Sequence, residues 1–235
     1  MPFDWSSRSN DNLLERFPLG TVGLEAWHAL VGRITVSDLS EAGYLSAFDA
    51  FLAAASQEHQ NYRAQANKPQ CQVFVSHQRL DVERAKRVAY LATQHNLDYW
   101  LDVHDPQLSQ VPQDPSNPRY GILIAAIIEI ALLNCTHIVA VHTSNSVKSK
   151  WVPYELGRAK ARWIVSTQAC GWFEPSLQPS TTGQEYVYLA YIAHGGENGL
   201  KTWFKFQQGA GALPVGTPCA PGNVSWSGPE PDKLP

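Results

Sequence analysis

A chain of 235 residues, 44% apolar, is long enough to bury one core with elaborations, or one core beside a small helical unit. Its formal net charge of −3 excludes the broad basic surface that tight nucleic-acid binding needs. Its most apolar run, Tyr120–Cys135, carries Glu129 and is too short to span a bilayer comfortably.

In chain order, Met1–Pro18 is polar and aromatic without a clean period. Val22–Val31 has apolar residues at helical spacing. Ser37–Glu58 predicts a longer helix, with Leu39, Ala42, Leu45, Phe48, Phe51 and Leu52 at three- and four-residue steps. Gln57–Gln70 is polar, ends near Pro69 and reads as a linker. The pattern then changes. Cys71–Ser76 is a first strand, Asp81–Asn96 an amphipathic helix, and Leu97–Val103 a second strand. A loop rich in Pro, Asp, Gln and Ser covers His104–Pro118, and Arg119–Asn134 is an apolar helix. Thr136–Thr143 is a third strand. Trp151–Trp163 is a helix that tolerates Pro153 in its first turn, and Ile164–Thr167 reads as a fourth strand. Tyr186–Ala193 is the last strong strand, Gly199–Gln208 a closing helix, and Gly209–Pro235 a Gly/Pro-rich tail.

Strands alternating with helices imply crossovers and a parallel sheet, and near-continuous apolar strands imply that both sheet faces are covered. The expected organisation is an N-terminal helical extension over 1–68, an α/β domain over 69–208 with a flavodoxin-like parallel sheet of about five strands flanked by helices, and a tail over 209–235. Ligands of such sheets bind beyond the carboxyl ends of the strands. The four cysteines, Cys71, Cys135, Cys170 and Cys219, lack metal-type spacing and read as reduced thiols. No signal-peptide pattern begins the chain, so a cytoplasmic location with no membrane or nucleic-acid partner is expected. The sequence holds no GxxxxGK[ST] loop, no GxGxxG after a strand, no GxSxG elbow and no HExxH.

Three segments in order resemble the TIR (Toll/interleukin-1 receptor) family. Val73-Phe-Val-Ser-His-Gln-Arg79 resembles its opening strand and loop. Tyr99-Trp-Leu-Asp-Val103 resembles the strand that precedes its long second loop. Ile124–Asn134, His137–His142, Ser144–Ser149 and Trp151-Val-Pro-Tyr-Glu155 resemble its next helix, strand and S-x-W-x-x-x-E helix start. Departures are His77 where Tyr is common, a second loop without the usual central Gly and Pro pattern, and 68 N-terminal residues with no counterpart. The resemblance points to the enzymatic bacterial branch, which cleaves NAD in Thoeris-like antiphage defence. It implies Glu155 as the catalytic residue, and NAD as substrate with no cofactor and no metal. It further implies a homo-oligomer built by TIR–TIR contacts, and a downstream effector that binds the nucleotide product. Ser76, His77, Arg79, Asp102, His142 and Trp151 are candidates for substrate binding. A non-catalytic TIR scaffold and a nucleoside deoxyribosyltransferase-like enzyme are the alternatives.

The chemistry suits a carboxylate. Breaking the nicotinamide–ribose bond makes the sugar cation-like, and a negative group gains attraction as that charge appears. Nicotinamide leaves neutral, so no separate general acid is needed. Glu155 is expected in the first turn of its helix, where a dipole partner is the other reading. Trp151 is a stacking wall or a packing residue. Arg79 is a forked pyrophosphate donor or a surface charge. Asp102 is a site residue or a turn cap. His77, His104 and His142 are site or structural residues, with His142 nearest the expected cleft.

Overall fold

The computed structural model describes residues 41–65, 72–105, 108, 118–162, 164, 166–174, 176, 177, 179, 182–193 and 196–209. The helix expected over 22–31, most of the loop 104–118 and the tail beyond 209 lie outside them. The chain divides into two compact units, one of residues 1–70 with 102–134, the other of 71–101 with 135–235. Among the described residues, no helix is long and apolar enough to cross a membrane.

In the first unit, α1 (Glu41–Gln65) packs against α3 (Pro118–Asn134). Ala47, Phe51 and Ala55 recur every four residues along α1 and are buried, as one helical stripe must be. α1 continues to Gln65, through half of the segment expected as a linker. Gln, Glu, Arg and Ala dominate that stretch and are good helix formers, so its polarity does not break the helix. α3 is apolar all round, and Ala126–Leu133 is buried throughout, Glu129 included.

The second unit is an α/β fold. Its parallel sheet joins β1 (Gln72–Ser76), β2 (Asp98–Trp100), β3 (His137–His142), β4 (Ala169–Phe173) and β5 (Tyr191–Ile192) in the order β2-β1-β3-β4-β5. This is the flavodoxin-like order, in which the winding reverses between β1 and β3. Residue pairing in register, with side chains alternating every second residue, sorts the sheet into two faces. Phe74, Ser76, Ala140, His142, Gly171 and Phe173 lie on one face. Val73, Val75, His137, Val139, Val141 and Trp172 lie on the other.

Three helices cover these faces. α2 (Val82–Gln94) buries Ala85, Val88, Ala89 and Ala92 as its inner stripe. It ends where Asn96 takes a left-handed φ of 52°, with Leu97 N–H donating to Ala92 O at 3.0 Å, so the chain turns straight into β2. α5 (Glu197–Gln207) joins α2 through a forked Arg87–Glu197 ion pair at 3.0 Å. Trp203 of α5 meets the edge of His137, so α2 and α5 serve the Val73 face. α4 (Trp151–Arg162) serves the Ser76 face.

Two strand expectations need correction. β4 runs over Ala169–Phe173, not 164–167. β5 is only Tyr191–Ile192, because Glu185–Leu189 winds into a 3₁₀ turn that buries Val187 and exposes Tyr188 and Leu189.

Candidate functional site

β1 and β3 end side by side at the point where the sheet's winding reverses, the place where ligands of open α/β sheets bind. Ser76 is the last residue of β1 and is buried. Its hydroxyl donates to Glu155 Oε2 at 2.5 Å, across 79 positions of sequence. Glu155 is 6% exposed. α4 starts at Trp151 as expected, and Glu155 is its fifth residue, just past a first turn that holds no acid. The dipole partner reading therefore loses its basis, since that effect fades within the first turn. The hydrogen bond from Ser76 helps to orient the carboxylate.

The helix is started by Ser149, whose hydroxyl accepts from Trp151 N–H at 3.2 Å and Val152 N–H at 3.3 Å. Trp151 is 40% exposed and stands edge-on to Tyr154, 5.6 Å away. His77 is buried directly after Ser76, whereas Arg79 is exposed at the start of a short 3₁₀ turn. Asp102 belongs to the other unit. There its carboxylate accepts Val103 N–H at 2.7 Å, the local capping role open to it from the start.

His142 ends β3, two residues beyond the position paired with Ser76 and on the same face. Its ring is 1% exposed and stacks on Phe173 at 4.4 Å. Burial pushes its pKa from 6.5 down to about 3, so the imidazole is neutral. Gly171 makes the stack possible. A Cβ there would meet Phe173 Cε2 at 2.9 Å and His142 Cδ2 at 3.3 Å.

A second set of residues holds the loops around Glu155. Asp81, 1% exposed, accepts from Thr143 Oγ1 at 2.6 Å and Asn145 Nδ2 at 2.9 Å. Arg84 lies between Asp81 at 3.4 Å and Glu174 at 3.6 Å, and Glu174 accepts Ser144 N–H at 2.6 Å. The segments that follow β1, β3 and β4 are thereby tied together. The sequence reading missed Asp81, Glu174, Phe173 and Tyr186. Asp81 carried a faint signal as an acid at a helix start, but its partners lie 62 and 64 positions away.

Among the described residues, no group of three or more His, Cys, Asp or Glu side chains is arranged to hold a metal ion. Cys135 and Cys170 are buried thiols outside any disulfide, and burial raises the Cys170 thiol pKa. Comparison with family models, with curated proteins and with solved structures finds no match.

Proposed function

We propose that this chain is a TIR-type enzyme that cleaves NAD at the nicotinamide–ribose bond, with Glu155 as its catalytic carboxylate. The observation that carries the reading is the buried Ser76–Glu155 hydrogen bond at the reversal point of the sheet. A carboxylate taken out of water and aimed by a second side chain suits a transition state that turns positive beside it. The C1′–N bond breaks, its electron pair leaves with neutral nicotinamide, and Glu155 faces the cation-like ribose carbon. Water then adds at C1′ and releases one proton, giving ADP-ribose; attack by a hydroxyl or ring nitrogen of the same molecule gives a cyclic isomer instead. Arg79 offers a forked donor to the pyrophosphate, and Trp151 a ring at the rim. Bacterial antiphage signalling, a cytoplasmic setting and an effector that reads the product belong to the same proposal.

A second reading, a scaffold that acts by self-assembly, rests on the exposure of Trp151 and Tyr154, each 40%. Incubation of the purified chain with NAD, followed by chromatography, separates the two. The enzyme releases nicotinamide and a nucleotide product. A scaffold leaves NAD intact while self-associating.

A further inference from the structure

Two buried polar atoms on the Ser76 face have no hydrogen-bond partner, His142 Nε2 and Tyr186 Oη. Buried polar groups are nearly always paired, so two together at one end of a sheet call for a reason. Their rings stand 6.0 Å apart, and the His142 ring also stacks on Phe173. Tyr186 is half-buried and packs on Phe173 from the 3₁₀ turn Glu185–Leu189, so it is the outer member of the group. The inner members, His142 and Phe173, are the last residues of β3 and β4. With strands spaced and pleated in the ordinary way, His142 lies on the order of 8 Å along the same face from Ser76, which holds Glu155.

We infer that His142 and Tyr186 form the polar end of a subsite for a planar ring bearing a carboxamide. A neutral imidazole offers one donor and one acceptor, and a phenol offers both. A carboxamide presents an acceptor oxygen and a donor NH₂ on one edge, so it satisfies both orphaned atoms at once. The flat aromatic surroundings suit a flat ligand. The inference rests on the NAD-cleavage reading for the identity of the ring: with the ribose carbon beside Glu155, the amide of nicotinamide points toward His142. The pair then selects carboxamide-bearing dinucleotides over those with a bare or acidic ring.

The test is direct binding of nicotinamide and of pyridine, which lacks the amide, to the full chain and to Tyr186→Phe. Wild type should favour nicotinamide by about tenfold or more, the worth of one or two satisfied buried hydrogen bonds. In Tyr186→Phe the preference should fall by several-fold while the melting temperature stays equal or rises, because the hydroxyl has no protein partner to lose. His142→Phe, which keeps an aromatic ring on Phe173, should lose the preference in the same way. Equal binding of the two probes, no binding of nicotinamide, or a full preference retained in Tyr186→Phe would overturn the inference. So would a lost preference accompanied by a lower melting temperature, which would mark Tyr186 as a packing residue. Nicotinamide binding without nicotinamide release from NAD would sink the cleavage reading and leave this subsite standing; release without any preference would do the reverse.

Discussion

At the scale of single residues, the site depends on side chains that are small where a larger one would be usual. Ser76 ends an apolar strand with a hydroxyl, and that hydroxyl is what reaches Glu155. Gly171 lies between two aromatic rings that need its missing Cβ. Gly171→Ala should cost about 1–3 kcal/mol, the usual range for overpacking a core, because the Phe173 and His142 rings that the new methyl group meets are both buried. Chemical denaturation of the variant checks this. An unchanged midpoint would mean that the two rings shift freely, contrary to the close approach of 2.9 Å.

At the scale of elements, Asp81 ties the segment before α2 to the loop after β3. Asp81→Ala leaves the Thr143 hydroxyl and the Asn145 amide without their acceptor, an expected loss of about 1–3 kcal/mol. Because those groups belong to the loop leading into α4, proteolysis near Ser144–Lys150 should accelerate as well. Stability and proteolysis both equal to wild type would show that the tie is not needed. The strands and helices themselves were largely legible. β1 and β3 have unbroken apolar centres, Val73–Val75 and Ile138–Val141, and α2 and α4 have helical spacing bounded by turn residues. β4 was not legible, because Ala169-Cys-Gly-Trp-Phe173 mixes small and aromatic residues, while the nearby 164–167 run has the β-branched pattern of a strand. Tyr186–Leu189 is as apolar as a strand but folds as a 3₁₀ turn that caps Phe173, a choice made by tertiary packing rather than by local preference. Of the site, Glu155 was singled out by its W-x-x-x-E setting. Its partner Ser76 stands in the sequence only as a substrate-binding candidate, because the bond between them depends on the packing of α4 on β1. The Asp81 tie and the His142–Tyr186 pair join residues far apart in sequence, so neither pairing has a local signature.

At the scale of the whole molecule, stability should depend on pH through His142. The folded chain protonates it only near pH 3, whereas the unfolded chain does so at 6.5. Between these values the unfolded state binds more protons, so stability falls as pH is lowered, by about 1 kcal/mol per pH unit from this group alone. Above about pH 7 both states hold the imidazole neutral and the contribution is flat. Thermal melts of wild type and His142→Phe between pH 7.5 and 4.5 isolate the effect, and wild type should lose stability more steeply toward acid. Parallel curves would contradict the burial that keeps this ring neutral.

The most direct test of the account is nicotinamide release from NAD by the purified chain and by Glu155→Gln. The substitution keeps the shape of the side chain and an oxygen for Ser76, so the melting temperature should hold, while turnover should drop by at least about 100-fold with the loss of the charge that meets the ribose cation. Turnover equal to wild type in a folded Glu155→Gln protein would contradict it.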